Sequence, residues 1–125
     1  LELPRDFRFS HAGVLHRLQA TRLFSQMDVF LDASEFQAMG LTALEAMACG
    51  VAVLVPQEGG SASFARHEAN ALVIDTKNED ACVAALDRLL TDEALRGRLA
   101  NQAAADACQF HPEGAAYRMM EVLLG

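Results

Sequence analysis

The alternation of short apolar runs with longer helical segments restricts the fold of this chain more than any other feature. Three short runs have the apolar composition of strands: Val29 to Leu31, Val51 to Val55 and Ala71 to Ile74. The middle run is apolar throughout, as in strands that are covered on both faces. Strands that alternate with helices predict a parallel sheet with right-handed crossovers, and therefore an α/β, Rossmann-like, three-layer αβα fold.

Helical periodicity separates and follows these runs. The predicted helices cover Leu18 to Met27, Leu41 to Cys49 and most of the tail from Asn78 onward. Gly50 is a favoured stop residue for the second of them. Asp92 suits the N-cap of a further helix, and Pro112 suits the first turn of a last one. We therefore expect one domain over residues 1–125, with C-terminal helices from about residue 78.

Composition limits the partners of this segment. The chain has 125 residues and a formal net charge of −7, and it begins at Leu1 without a methionine. We expect a single, truncated domain. The ten Lys and Arg residues are scattered singly, whereas nucleic acids and anionic membranes bind clustered positive charge. The sequence therefore argues against nucleic acid and against membrane contact by this segment. We expect a cytoplasmic protein whose contact with the inner membrane would come from other regions.

The cysteines and histidines form no metal-binding pattern. Cys49, Cys82 and Cys108 are widely spaced and match neither a zinc motif nor a disulfide framework, so we expect buried, reduced thiols. The four histidines also lack the spacing of metal ligands. We assign no metal site and no cofactor other than a bound substrate.

The loops after the first two strands are the expected ligand site, because α/β sheets bind ligands beyond the carboxyl ends of their strands. These loops run from Asp32 to Gly40 and from Pro56 to Phe64. Gly40 lets the backbone approach a ligand closely. The helix that follows presents unpaired N–H groups and the positive end of its dipole, which suits a diphosphate. Gly59-Gly60 offers a second close approach of the backbone.

Glu45 is the candidate ligand-binding acid. It lies one turn into the helix, and helical side chains lean toward the N-terminus, so its carboxylate can point back to the loops. A carboxylate accepts two hydrogen bonds at once, which matches the vicinal hydroxyls of a ribose. A structural alternative stays open, since Thr42-x-x-Glu45 is also a capping-box pattern. Gly59-Gly60 alone is likewise typical of an ordinary turn.

The segment from Asp28 to Gly60, DVFLDASEFQAMGLTALEAMACGVAVLVPQEGG, resembles the signature of family 4 glycosyltransferases. That signature is an acidic residue, a G-F-G turn, L-E-A-M-A-x-G, a strand and then G-G. The resemblance extends to the C-terminus and includes Asn70 to Val73, similar to the family's N-G-L-L-V strand. It implies the C-terminal, donor-binding half of a retaining two-domain (GT-B) glycosyltransferase, with a nucleotide-diphosphate sugar as donor substrate.

The resemblance also implies roles for individual residues. Glu45 matches the second acid of the family's E-x7-E motif, which binds the ribose of the nucleotide. The G-F-G turn meets the donor sugar through its amides, and the helix start faces the diphosphate. The other implied donor contacts are the turn at Ala38, Met39 and Gly40, the helix start at Leu41 and Thr42, and the loop at Gly59 and Gly60.

Two positions depart from the family pattern. Gln37 stands where the first acid of the E-x7-E motif falls, and Ser63 stands where an acid often follows the G-G pair. An amide can hydrogen-bond a sugar hydroxyl but carries no negative charge. Relatives linked to rhamnose-containing or O-antigen polysaccharides carry a similar Q-A-F-G turn. We therefore interpret Gln37 as a change in donor choice, and we retain Gln37 and Glu45 as the catalytic candidates.

The resemblance places two required regions outside this chain: the phosphate-binding Arg and Lys of the same domain, and the acceptor-side His of an N-terminal domain. We therefore expect that N-terminal acceptor domain as the partner, and no activity from this segment alone. The expected reaction moves a sugar from a nucleotide sugar to a saccharide or lipid-linked acceptor. Bacterial surface polysaccharide (O-antigen) synthesis is the setting that the Q-A-M-G variant suggests.

Two other functions fit parts of the sequence. Gln37 and Ser63 are compatible with a degenerate domain that binds a nucleotide sugar, or nothing, and serves assembly. An interaction domain of the flavodoxin or response-regulator shape would need an acidic phosphorylation cluster with a downstream Lys, and the sequence lacks that arrangement. Glu58 is expected to be exposed to solvent. Arg66 and His67 are also expected to be exposed, with contact to a phosphate as the alternative.

Overall fold

The computed structural model describes Ser10, residues 17–33 and residues 41–110. In chain order the helices and strands are α1 (Arg17–Phe24), β1 (Val29–Leu31), α2 (Leu41–Ala48), β2 (Ala52–Pro56), β3 (Leu72–Ile74), α3 (Glu79–Thr91) and α4 (Glu93–Phe110). A 3₁₀ turn (Gly60–Ser63) lies between β2 and β3. None of the helices in these ranges is long and apolar enough to cross a bilayer. The helix predicted from Pro112 lies outside the described residues.

The strands form one parallel sheet in the order β1-β2-β3. Phe30 pairs with Val53 between β1 and β2, and Val55 pairs with Val73 between β2 and β3. α2 carries the chain from β1 back to the start of β2, and the 3₁₀ turn with its following loop does the same between β2 and β3. The predicted strands are found within one residue of their expected positions, and the prediction of a parallel α/β sheet is confirmed.

β2 is the central strand, and each of its residues is buried. Val53 belongs to a core that contains Met47 of α2, whereas its neighbour Leu54 belongs to a second core that contains Leu89 of α3. Successive side chains of a strand point to opposite faces of the sheet, so the two cores lie on opposite faces. Helices cover both of them, which confirms the three-layer αβα arrangement.

α4 contributes to both cores. Leu95 and Leu99 join the core on the α3 side, while Ala103 and Ala107 join the core on the α2 side. The helix therefore passes from one face of the sheet to the other. It crosses at the edge where the strands begin, because the residues that lead into the strands, such as Asp28 before β1, line cavities together with α4.

Side-chain caps and a glycine determine where the helices begin and end. The Asn78 side chain accepts a hydrogen bond from the Ala81 N–H at 3.1 Å at the start of α3. The Asp92 side chain accepts one from the Leu95 N–H at 3.0 Å at the start of α4. Gly50 follows α2 with φ of 75°, a left-handed conformation that favours glycine after a helix. The helix ends predicted at Gly50, Asn78 and Asp92 are confirmed.

The predicted burial of the cysteines is wrong. Cys49, Cys82 and Cys108 are free thiols, as expected, but each is only partly buried. Cys108 illustrates the reason, because the residue before it, Ala107, is the one that faces the core. Adjacent residues on a helix are rotated by about 100° from one another. A thiol beside a core position therefore lies at the margin of the core.

Asn70 connects the segment before β3 to α4. This residue is fully buried, and its Oδ1 accepts a hydrogen bond from the Arg66 N–H at 2.7 Å. Its Nδ2 donates to the Phe64 carbonyl at 3.0 Å and to the Asp106 carboxylate at 2.9 Å. Buried polar groups are costly unless they are paired. The Asn70 side chain therefore fixes the segment before β3 relative to α4.

Glu68 lies in the same segment with φ of 67°, which is unusual for a residue other than glycine. Its N–H donates to the Ala71 carbonyl at 2.9 Å, and its own carbonyl accepts from Arg98 of α4 at 2.9 Å. Both of its carboxylate oxygens accept from Arg88 of α3. These contacts hold the left-handed conformation and connect the segment to both C-terminal helices.

Replacement of Asn70 by Ala should destabilise the protein strongly. The substitution removes the acceptor of the Arg66 N–H and one donor each to the Phe64 carbonyl and the Asp106 carboxylate, at a cost of about 2–3 kcal/mol in the free energy of unfolding. Urea denaturation measures this loss. Asn101 is exposed on α4, and Asn101→Ala should change the stability by less than about 0.5 kcal/mol. Similar stabilities for the two variants would contradict the role given to Asn70.

Low pH should remove the contribution that the Glu68 carboxylate makes to the stability of the fold. The Arg88 guanidinium lowers the pKa of the Glu68 carboxyl from its ordinary value of 4.5. A carboxyl whose pKa is lower in the folded state stabilises above the unfolded value, and this stabilisation is lost as the pH falls through the folded pKa. As the pH falls from 4.5 through the folded pKa, the wild-type melting temperature should therefore decrease more steeply than the melting temperature of Glu68→Gln. Identical slopes for the two proteins would refute the assignment.

Candidate carbohydrate-nucleotide site at the carboxyl edge of the sheet

The carboxyl ends of the strands meet at one edge of the sheet, because the strands are parallel. Asp32 follows β1 and donates its N–H to the Leu54 carbonyl at 2.9 Å. Gln57 follows β2 and donates its N–H to the Ile74 carbonyl at 2.8 Å. These bonds extend both ladders by one residue and determine where the loops leave the sheet. We call this side the carboxyl edge and the opposite side the amino edge.

α2 begins at the carboxyl edge, because a crossover helix runs antiparallel to the strands that it joins. Ala43 and Met47 are buried in the core between α2 and the sheet. Thr42 is exposed and Glu45 is partly exposed, one turn into the helix. The start of α2 is therefore on the side of the carboxyl edge, and Glu45 follows it by one helical turn with part of its side chain exposed.

The first residue of α2 bears on the capping-box alternative for Glu45. In a capping box, Thr42 would be the N-cap and would lie outside the helix. The helix already includes Leu41, so Thr42 lies within its first turn. The residues that precede α2 lie outside the described residues, so the capping box and the ribose contact both stay predictions for Glu45.

Gly59 and Gly60 lie beyond β2 at the same edge. Gly59 has φ of 100° and ψ of −161°, a conformation that glycine adopts without strain. It precedes the 3₁₀ turn, in which the Ala62 N–H donates to the Gly59 carbonyl at 3.2 Å. The 3₁₀ turn packs against α2. The loop of Gly59 and Gly60 is thereby joined to the helix that carries Glu45.

The predicted donor contacts divide into two groups. Leu41, Thr42 and Glu45 lie on α2, and Gly59 and Gly60 lie at the start of the 3₁₀ turn that packs against α2. Gln37, Ala38, Met39 and Gly40 lie outside the described residues. Across the described ranges, no group of His, Cys, Asp or Glu residues is arranged to hold a metal ion. What the first group offers is a helix start, a carboxylate and a glycine-containing turn, which are suited to a phosphorylated polyol.

Sequence reasoning missed two residues at this edge. Ser61 is fully buried in the 3₁₀ turn, and within the described ranges its hydroxyl has no hydrogen-bond partner. Ser63, which the sequence singled out, is exposed and donates its hydroxyl to the Gly60 carbonyl at 2.7 Å. Only the three-dimensional packing distinguishes the two serines, since both follow the glycine pair at short spacing.

Lys77 is the second missed residue. It follows β3, and its Nζ lies 3.8 Å from the carboxylate of Glu58, which is exposed as predicted. Both side chains are more than half exposed, so the pair contributes little to stability. Lys77 can therefore leave Glu58 and bind an anionic ligand at a small cost in free energy. Its position shortly after the third apolar run is the sequence feature that could have identified Lys77 as a candidate ligand contact.

Comparison with known proteins points to one family. The family model described as "Glycosyl transferases group 1" matches residues 10–106. Among curated proteins, the chain is 32% identical over 100 residues to a D-inositol 3-phosphate glycosyltransferase from Salinispora arenicola, which covers 80% of this chain and 22% of that protein. The chain thus spans less than a quarter of that relative's length.

A second relative and a solved structure agree with this match. The chain is 31% identical over 121 residues to the N,N'-diacetylbacillosaminyl-diphospho-undecaprenol alpha-1,3-N-acetylgalactosaminyltransferase of Campylobacter jejuni, covering 94% of this chain and 32% of that protein. The structure is similar to the C-terminal domain of a glycosyl transferase group 1 family protein (LpcC) from Francisella tularensis. That match has a TM-score of 0.66 and 26% identity, and it covers 71% of this chain and 46% of that one.

Substitution of Gly59 by Ala should destabilise the turn at the carboxyl edge. An L-residue at φ of 100° is strained, at a cost of about 1–3 kcal/mol. Gly60 lies inside the 3₁₀ turn and, unlike Gly59, does not have a positive φ. Gly60→Ala should therefore change the stability by less than about 0.5 kcal/mol. Thermal unfolding of both variants tests this, and equal losses would contradict the conformation assigned to Gly59.

Proposed function

Because the chain belongs to the group 1 glycosyl transferase family and has the Rossmann-like fold of a GT-B C-terminal domain, we propose that it binds the donor substrate of a retaining glycosyltransferase. The donor is a nucleotide-diphosphate sugar. The intact enzyme transfers the sugar to a saccharide or lipid-linked acceptor. The acceptor is held by a second domain of the same polypeptide.

One observation supports this proposal most directly: the 3₁₀ turn that follows Gly59 packs against α2, the helix that carries Glu45. In this arrangement the first N–H groups of α2 bind the diphosphate. The Glu45 carboxylate accepts hydrogen bonds from the two ribose hydroxyls. Gly59 and Gly60 allow the loop backbone to approach the donor, and Lys77 adds positive charge beside that loop.

The proposed chemistry is carried mainly by fixed dipoles. The bond between the anomeric carbon and the phosphate oxygen breaks, and negative charge develops on the departing diphosphate. A helix start that already points at this position stabilises the charge without rearrangement. Gln37 is proposed to hydrogen-bond the hydroxyls of the donor sugar and so to select it. The new glycosidic bond then forms on the same face of the sugar.

The names of the relatives support the proposal that acceptor specificity is determined by residues outside this segment. The name of the Campylobacter protein specifies a diphospho-undecaprenol-linked saccharide, whereas the name of the Salinispora protein specifies an inositol phosphate. Both match the same part of this chain, although their acceptors differ. We therefore propose that this segment alone is inactive. A lipid-linked acceptor in surface polysaccharide (O-antigen) synthesis is the specific setting that we propose.

Glu45→Gln should weaken nucleotide binding about tenfold or more while leaving the fold intact. The amide loses the charge that strengthens hydrogen bonds to the ribose, and such bonds are worth about 1.5–3 kcal/mol. Calorimetric titration of the intact protein with uridine, thymidine, guanosine and adenosine diphosphates measures the effect. The matched control is Glu93→Gln, because Glu93 is exposed on α4 at the amino edge.

A thermodynamic cycle makes the test specific to the ribose. With a 2′,3′-dideoxynucleoside diphosphate, wild type and Glu45→Gln should bind equally, since the proposed hydroxyl partners are missing. A penalty that persists with the dideoxy ligand would refute the ribose contact. If the wild-type protein binds none of the four diphosphates, the alternative of a degenerate domain that serves assembly replaces the proposal.

A further inference from the structure

A groove of about 630 Å³ lies at the amino edge, on the opposite side of the sheet from Glu45. One wall is the segment before β3, and the other is a face of α4. Its polar lining residues are Arg66, Glu68, Arg98, Gln102, Asp106 and Gln109. Arg98, Gln102 and Asp106 are four residues apart, so they form one stripe along the helix. The proposed donor site uses none of these residues.

The two carboxylates in the groove are already occupied. Both oxygens of Glu68 accept hydrogen bonds from Arg88. The oxygens of Asp106 accept from Asn70 at 2.9 Å and from Gln102 at 2.8 Å. Each of these oxygens keeps a second lone pair, so the existing bonds reduce the capacity of the carboxylates to accept from a ligand without removing it. The groove therefore offers few acceptors to a ligand.

The arginines, in contrast, have N–H groups that can donate hydrogen bonds to a ligand. A guanidinium carries five N–H donors. Arg98 donates to the Glu68 carbonyl at 2.9 Å, and Arg66 makes one long bond of 3.4 Å to the Phe64 carbonyl. With Arg88 included, the three arginines outnumber the two carboxylates. Arg88 lies outside the lining and neutralises Glu68, so Arg66 and Arg98 face one carboxylate, that of Asp106, which has no arginine partner among the described residues.

The walls of the groove are held in position before any ligand arrives. The buried Asn70 amide fixes the backbone at Arg66 and also binds Asp106 of the opposite wall. Glu68 is held in its left-handed conformation by Arg88 and Arg98. A site whose groups are ordered in advance loses less entropy on binding. Such strained, well-braced positions recur at ligand sites.

We propose that Arg66 and Arg98 bind the phosphate group of a soluble phosphorylated ligand in this groove. Excess donors, occupied carboxylates and planar guanidinium groups select an oxyanion with several acceptor oxygens. We choose a soluble ligand because the net charge of −7 disfavours contact between this segment and an anionic bilayer, whereas membrane contact of the intact protein would come from other regions. The site lies across the sheet from the donor site, so the two can be occupied at once.

Titration of the intact protein with inorganic phosphate, followed by the phosphorus NMR line width at constant ionic strength, tests this site. Arg66→Gln and Arg98→Gln should each weaken phosphate binding about tenfold, and the double variant should bind less than either. Arg22, which is exposed on α1 outside the groove, provides the control variant Arg22→Gln. Circular dichroism and melting curves verify that each variant is folded. If Arg98→Gln does not fold, Arg66→Gln decides the test.

The alternative outcomes overturn the proposal in different ways. Phosphate binding that is unchanged by both groove variants would place the ion elsewhere, as would an equal loss with Arg22→Gln. No binding by the folded wild type would also overturn it. A sedimentation assay with vesicles containing phosphatidic acid addresses the source of the phosphate. Vesicle binding that requires Arg66 and Arg98, without binding of inorganic phosphate, would replace the soluble ligand by a lipid.

Discussion

The parallel pairing of β2 with strands on both sides is the constraint on which the rest of the structure depends. The strand is buried on both faces, and its alternating side chains form parts of two separate cores. A parallel sheet requires crossover connections, and these carry the start of α2 and the Gly59 turn to the same edge. The candidate site is thus a consequence of strand direction rather than of any single contact.

The two edges of the sheet differ in structure and in the ligands that they suit. At the carboxyl edge the backbone is open: a helix begins there, a glycine turn passes it, and Glu45 and Lys77 are accessible. At the amino edge, hydrogen bonds of buried or paired polar groups connect the parts of the chain, and the main groups are Asn70 and Glu68. The first arrangement suits a ligand that is bound and released. The second gives the domain its rigidity and, in our proposal, braces a phosphate site.

Local patterns in the sequence were sufficient for the fold. The strands were predicted from apolar runs, and the helix ends from Gly50, Asn78 and Asp92, because caps and glycine stops act over three or four residues. The candidate site followed from the topological rule for parallel sheets, together with a resemblance that covered Glu45 and the glycine pair. These inferences need no knowledge of long-range contacts.

Long-range contacts explain what the sequence did not predict. Arg66, Arg88 and Arg98 were counted as scattered charges, yet they converge around Glu68 because α3 and α4 fold back onto the segment before β3. The burial of Ser61 depends on how the 3₁₀ turn packs against α2. The partial exposure of the cysteines depends on helix rotation. None of these has a local signature.

A structure of the intact protein with its tightest-binding nucleoside diphosphate tests the central claim most directly. The account predicts that the diphosphate lies between the start of α2 and the Gly59 turn. It also predicts ribose hydroxyls within about 2.6–3.2 Å of the Glu45 carboxylate. A nucleotide bound away from the carboxyl edge, or one whose ribose is turned away from Glu45, would contradict the account.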